Sequence, residues 1–128
     1  MKLLAKTDYA LRAAISLARA DAYVSSQAIA DDQDIPQGFL EHILTDLRRA
    51  GIVTSRRGGR GGYQLAIAAE DLKLTAIVAA VDPDLLGAAE SGARSTGGTV
   101  ETLWIALQAE LQRFFDSRTL AEVAEPRS

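Results

Sequence analysis

Residues 56–62 read RRGGRGG, and they stand between two segments with strand chemistry. Ile52 to Arg57 reads as one strand, Gly58 to Gly62 as a tip of four glycines and one arginine, and Tyr63 to Ile67 as the returning strand. In the returning strand Tyr63, Leu65 and Ile67 alternate with polar or small residues, as a hairpin with one buried face requires. A P-loop is excluded, because it needs Lys-Ser/Thr where a helix begins and Tyr63 begins a strand. An RNA-binding arginine–glycine segment is excluded as well, since the stretch is short and sits between strands. A wing tip fits: glycines allow close approach to a sugar–phosphate backbone, while Arg57 or Arg60 can enter a narrow minor groove and neutralise phosphates. The alternative is a glycine-rich hairpin turn with incidental arginines.

What precedes the hairpin narrows the choice. TDYALRAAISLARA from Thr7 predicts a first helix over about 8–20, with Thr7 or Asp8 as N-cap and Leu11, Ala14, Ile15 and Ala18 as its apolar stripe. Ser25 or Ser26 caps a short second helix through about Asp32, with Val24 before the cap and Ala28 and Ile29 facing inward. Pro36 is preset for the first turn of a third helix, and Gly51 suits its left-handed C-terminal position. Only Gln33 to Ile35 separate these two helices, and Asp34 stands where a left-handed residue is wanted, so they form a helix-turn-helix. Helix, turn, helix and hairpin then follow in winged-helix order. The fold class expected is mainly α, a winged helix-turn-helix with a two-stranded β wing.

In the third helix Leu40, Ile43, Leu44 and Leu47 make the core stripe, and the opposite face carries Gly38, His42, Thr45 and Arg49, flanked by Glu41 and Asp46. Gln37, Gly38 and Glu41 lie near the end that commonly reaches base edges in a major groove. Glu41 can accept from cytosine N4 or hold a neighbouring arginine. His42 can contact a base, pair with Asp46, join Glu41 and Asp46 around a metal, or simply be a surface residue.

Charge agrees with an anionic partner on one part of the chain. The whole protein carries a formal net charge of −3. Residues 1–64 hold nine Lys or Arg against seven Asp or Glu, whereas residues 65–128 hold five against ten. Arg48 to Gly62 contains Arg48, Arg49, Arg56, Arg57 and Arg60 and no acid. Net charge describes solubility, and the field at one face is set by such a cluster. The candidate DNA-binding set is therefore Gln37, Gly38, Glu41, His42, Thr45 and Arg49 on the third helix, with Arg56, Arg57, Gly59, Arg60 and Gly61 on the wing.

Beyond the wing, Leu72 to Asp82 predicts a compact apolar helix stopped by Pro83. Residues 87–98 are rich in Gly, Ala and Ser without periodicity, which predicts a mobile loop. From Thr99 a long helix carries Val100, Leu103, Trp104, Leu107, Leu111, Phe114 and Phe115 at near-heptad spacing. That stripe is broader than one small winged helix needs, which predicts a helical dimer interface at Val100, Leu103, Trp104, Leu107, Leu111 and Phe114. The divisions expected are 1–82 for the DNA-binding region, 83–98 for the loop, and 99–128 for the dimerisation helix and tail.

Several function classes lack their chemistry. Cysteine is absent and histidine occurs once among 128 residues, so disulfides, thiol catalysis, cysteine-ligated zinc and cysteine-ligated clusters have no ligands. Asp31, Asp32 and Asp34 form an acidic patch without the later Glu of a metal loop, and no set of nucleophile, base and orienter is present, so no enzymatic role and no cofactor is expected. The longest apolar run is the six residues from Ala76 to Val81, against about 20 for a bilayer span, and Asp8 and Arg12 break up any signal-peptide core. The expectation is a cytoplasmic protein with no membrane partner.

LAKTDYALRAAISLA, QAIADDQDIPQGFLEHILTDLRRAGIV and RGGRGGYQLA together resemble the Rrf2 family of bacterial transcription regulators, and the likeness continues through LTAIVAAVD and the late Trp-containing helix. The resemblance implies a dimeric winged-helix DNA-binding protein, often a repressor, whose long C-terminal helices cross at the dimer interface. It implies a homodimer on a pseudo-palindromic operator of double-stranded DNA, with recognition helices ~34 Å apart. By position Gln37, Gly38, Glu41 and His42 match the recognition-helix contacts, and Arg57 and Arg60 match the wing; Gly38 departs from the hydroxyl or larger polar residue often found there. Many relatives hold an iron–sulfur cluster on three cysteines before the long helix, and Gly87 to Gly98 has none. Asp8 matches a carboxylate ligand in some of them, but one carboxylate without thiolates cannot hold a cluster, and here it reads as a helix cap. Control is then expected from a small molecule, a partner protein or the regulator's own abundance. The competing reading is a winged-helix protein–protein interaction module with DNA binding weak or secondary.

Overall fold

The computed structural model describes residues 4–87 and 98–124. Helix α1 spans Ala5–Ala18, α2 Ser26–Gln33 and α3 Gln37–Arg49; strands β1 (Val53–Arg56) and β2 (Gly62–Leu65) form the hairpin; α4 spans Leu74–Val81, α5 Thr99–Asp116 and α6 Leu120–Ala124. Short 3₁₀ turns occupy Ala69–Asp71 and Pro83–Leu86. The architecture is the winged helix-turn-helix expected, mainly helical with a two-stranded antiparallel wing.

Helix α1 differs most from its expectation. It starts at Ala5, so Thr7 and Asp8 are not caps but lie within its first turn. Thr7 is buried, and Asp8 accepts from Arg12 Nε at 3.0 Å along the helix surface. The buried row is Ala10, Ala13, Ala14 and Leu17, with Leu11, Ile15 and Ala18 packed at its margin. The stripe is rotated because α1 is covered by α2, α3, α4 and α6, and its alanines let those elements come close.

Helices α2 and α3 follow their sequence closely. Ser25 Oγ accepts the Ala28 N–H at 3.1 Å and caps α2. Ile29 and Ala30 are buried, whereas Ala28, expected to face inward, is exposed because the helix rests on α1 and α3 through one narrow edge. Asp34 closes α2 at φ 55° and ψ 52°, the only non-glycine with positive φ among the described residues. Pro36 occupies the N-cap position of α3 rather than its first turn. Leu40, Ile43, Leu44 and Leu47 are buried, and Gly51 adopts φ 78° beyond the helix end.

The hairpin pairs Val53 with Leu65, Thr54 with Gln64, Ser55 with Tyr63 and Arg56 with Gly62. It is shorter than the expected 52–57 and 63–67 strands, and Gly62 belongs to β2 instead of the tip. A further bridge joins Val24 to Tyr63, with N–H···O distances of 2.8 and 2.7 Å in the two directions. Val24 thus ties the start of α2 to the wing. Gly62, at φ 137°, is required there, since a Cβ would collide with the Val24 carbonyl.

Behind the wing α4 begins at Leu74, two residues later than expected, because the Leu72 carbonyl is used by the Leu120 N–H at 2.8 Å. Leu74, Ile77, Val78 and Val81 of α4 and Leu120 and Ala124 of α6 are buried, all but Val78 in one core with the buried rows of α1 and α3. Residues 88–97, most of the expected mobile loop, lie outside the described residues.

Helix α5 ends at Asp116, and the separate α6 was not anticipated. Not one residue of α5 is buried. Its C-terminal end is fastened to the body: Thr75 Oγ1 donates to Asp116 Oδ1 at 2.9 Å, Lys73 Nζ lies 3.8 Å from Asp116 Oδ2, and the Leu74 N–H donates to the Arg118 carbonyl at 2.9 Å. Phe115 is packed in part against the core, and Leu111 is half-buried. Val100, Leu103, Trp104, Leu107 and Phe114 are about half exposed or more, with Trp104 at 55%. Counting 100° per residue, these five and Leu111 form one continuous stripe, bordered on one side by Phe115, which is packed against the core. Ile105, 58% exposed, lies on another face. No described helix is long and apolar enough to cross a membrane.

Candidate nucleic-acid interface

The three buried leucines and one buried isoleucine of α3 fix which of its residues face away from the core. Gln37, Gly38, Glu41, His42 and Arg49 are exposed, and Thr45 is half-buried. Not all of them are free. Gln37 Nε2 donates to Ser26 Oγ at 2.9 Å and to Glu41 Oε1 at 3.0 Å, and Thr45 Oγ1 donates to the Glu41 carbonyl at 2.9 Å. Among the described residues Glu41 holds no arginine, and His42 makes no ion pair with Asp46. Arg48 and Arg49 occupy the last turn, where a cation also offsets the negative end of the helix dipole.

On the wing, the Gly61 N–H donates to the Gly58 carbonyl at 3.0 Å and closes the turn. Gly61 is packed so closely on the Arg56 backbone that a side chain there would collide with its carbonyl. Arg57, Gly59 and Arg60 are exposed around this turn. Arg56 is engaged twice within the protein: its guanidinium carbon lies 4.3 Å from the centre of the Tyr23 ring, and Nη2 donates to the Arg60 carbonyl at 3.1 Å. An open groove lined by Ala22, Tyr23, Ser25, Arg56, Gly59, Arg60 and Gly61 runs between the start of α2 and the wing. Tyr23 was not singled out from sequence, and Ser26 was named only as an alternative cap of α2, a place that Ser25 takes. The signals for these roles were the position of Tyr23 two residues before the α2 cap and the hydroxyl of Ser26 directly after it.

The arrangement offers cations on a glycine-rich turn and a polar helix face, chemistry suited to a phosphate backbone and base edges. Among the described residues no three His, Asp or Glu side chains converge to hold a metal ion. A cysteine-ligated cluster does not fit this chain, which has no thiolate, and its matching carboxylate, Asp8, is paired with Arg12.

The Rrf2 family model, described as an iron-dependent transcriptional regulator, matches residues 3–126. The chain is similar to the slr0846 protein of Synechocystis sp., 47% identical over 87 residues that make up 66% of this chain and 59% of that protein, so the likeness spans less than two thirds of that relative's length. It is similar to the HTH-type transcriptional regulator IscR of Cereibacter sphaeroides, 34% identical over 135 residues, covering 96% of this chain and 86% of that one. Among solved structures, the oxidized form of Staphylococcus aureus CymR superposes with a TM-score of 0.76 at 30% identity, covering 100% of this chain and 99% of that chain.

Proposed function

The chain belongs to the Rrf2 family of transcriptional regulators, and from that premise we propose that it acts as a homodimer on a palindromic operator and represses the genes it controls. The observation that carries the reading is the exposed Arg57 and Arg60 on a closed glycine turn, beside a helix-turn-helix of matching plan. In this proposal the N-terminal part of α3, through Gln37, Gly38, Glu41 and His42, meets base edges, with Thr45 and Arg49 following the groove. Arg57 and Arg60 meet phosphates or the minor groove, Gly59 and Gly61 allow close approach, and Arg56 supports them.

The undocked stripe of α5 supports self-association, its occupant being the same stripe of a second copy. The divisions 1–82, 83–98 and 99–128 then correspond to DNA binding, connection and dimerisation. Without thiolates for a cluster, control falls to a small molecule, a partner protein or abundance, and the place of action is the cytoplasm.

Footprinting of the promoter upstream of its own gene, together with binding titrations over salt, tests the reading. A protected palindrome bound with Kd of ~10⁻⁸ M or tighter and a steep salt dependence is expected. Affinity that stays at the non-specific level of ~10⁻⁴–10⁻⁶ M on every promoter, with a partner enzyme captured in fixed ratio, would favour a protein-binding module instead.

A further inference from the structure

Nothing in α5 is buried, so burial alone does not set the direction in which this helix leaves the body. Phe115 packs in part against the core, but an apolar contact is non-directional and serves as a pivot. The directional contacts belong to the residues that follow. Asp116 Oδ1 accepts from Thr75 Oγ1 at 2.9 Å and Oδ2 lies 3.8 Å from Lys73 Nζ, while the Arg118 carbonyl accepts the Leu74 N–H at 2.9 Å. An acid at the last position of α5 opposes that helix's own dipole. It suits α4 instead, which has no acid in its first turn and no side-chain cap at Lys73. Arg118 closes the joint from the other side: its guanidinium carbon lies 3.8 Å from the centre of the Phe114 ring, and Nη1 donates to the Phe114 carbonyl at 2.9 Å. Phe114 belongs to the exposed stripe, and α4 packs on α1 and α3, so the joint connects the stripe directly to the helix-turn-helix.

Resting on the homodimer and DNA-binding reading above, we infer that this joint fixes the separation of the two DNA-reading regions, with Asp116 as a positioning residue that selects half-site spacing. Leu107, in the middle of the stripe, lies ~14 Å along the helix from Asp116 at 1.5 Å per residue, so a tilt of ~15° at the joint moves it by ~3.5 Å, the rise of one base pair. One base pair also turns a half-site by about a tenth of a helical turn. A rigid joint therefore accepts one spacing, and a loose joint accepts several.

Because the chain has no cysteine, the joint can be tested without DNA. A nitroxide on Ala28→Cys, an exposed position of α2, reports the distance between the two copies by pulsed electron spin resonance. This otherwise wild-type protein should give one narrow distance distribution. Adding Asp116→Ala or Thr75→Val should broaden it while the mass remains that of the dimer, and Asp116→Asn, which still accepts from Thr75, should broaden it less. On palindromes whose half-sites are moved apart or together by one base pair, the preference for one spacing should fall by about fivefold in Asp116→Ala, the scale of an exposed charged contact, with affinity for a single half-site unchanged. The inference is overturned if Asp116→Ala keeps the narrow distribution or the wild-type spacing preference, or lowers affinity equally at every spacing, as a merely structural role would; Thr75→Val decides in the same way if Asp116→Ala does not assemble. A wild type without a distance signal would bring down the homodimer reading, and one that binds no palindrome at any spacing the DNA-binding reading, each taking this inference with it.

Discussion

Arg56, Arg57 and Arg60 are identical in type and within five residues of one another, yet the structure gives them different work. Arg57 and Arg60 are exposed on the tip, while Arg56 lies on the Tyr23 ring and holds the Arg60 carbonyl. Under the proposed function, Arg60→Ala should weaken binding to all sequences and lower the slope of log K against log salt by about 1. Arg56→Ala should cost affinity with a smaller change of slope, because its guanidinium is held on the Tyr23 ring and the Arg60 carbonyl instead of being free to reach a phosphate; salt titrations of the two variants check this. Gly62 is the other residue whose identity is fixed by contact. Gly62→Ala should destabilise the fold by about 2 kcal/mol or more in denaturant unfolding, since it meets both a positive φ and the Val24 carbonyl. From sequence, Gly62 was one of four equivalent glycines, and only the bridge to Val24, 38 residues earlier in the chain, separates it from Gly59.

Legibility varied from helix to helix for physical reasons. Helix α3 has one buried face and one wet face, so its core residues could be read from periodicity, and the left-handed residues Asp34, closing α2, and Gly51, beyond the end of α3, from backbone preference. Ile43→Ala, at the centre of that face, should cost about 2–5 kcal/mol in unfolding free energy. Helix α1 was harder, because alanines on several sides give no single stripe and its neighbours arrive from distant parts of the chain. The Val24–Tyr63 bridge and α6 depend wholly on tertiary partners, and five residues of α6 carry too little periodicity to announce themselves. On the candidate site, exposure of the α3 and wing residues was legible; the tethering of Gln37 and Arg56 was not, since their partners, Ser26 and Tyr23, lie 11 and 33 residues away.

For the molecule as a whole, a net charge of −3 coexists with five arginines between Arg48 and Gly62, so solubility and local anion attraction are carried by different regions. The apolar stripe of α5 likewise separates folding of the core from burial of Trp104. With a second copy on that stripe, the thermal midpoint should rise with protein concentration, and Leu103→Glu should abolish the rise while the core still unfolds cooperatively; calorimetry across a dilution series decides. A helix of 18 residues with nothing buried gains little from its own chain. The consequence is arithmetical: assembly through this stripe scales with the square of copy number, so a cell holding half as much of the protein would hold, at low occupancy, about a quarter as much of the assembled form. Under the proposed function, DNA binding would then meet a threshold in concentration, set by the same leucines and tryptophan that α5 leaves exposed in the single chain.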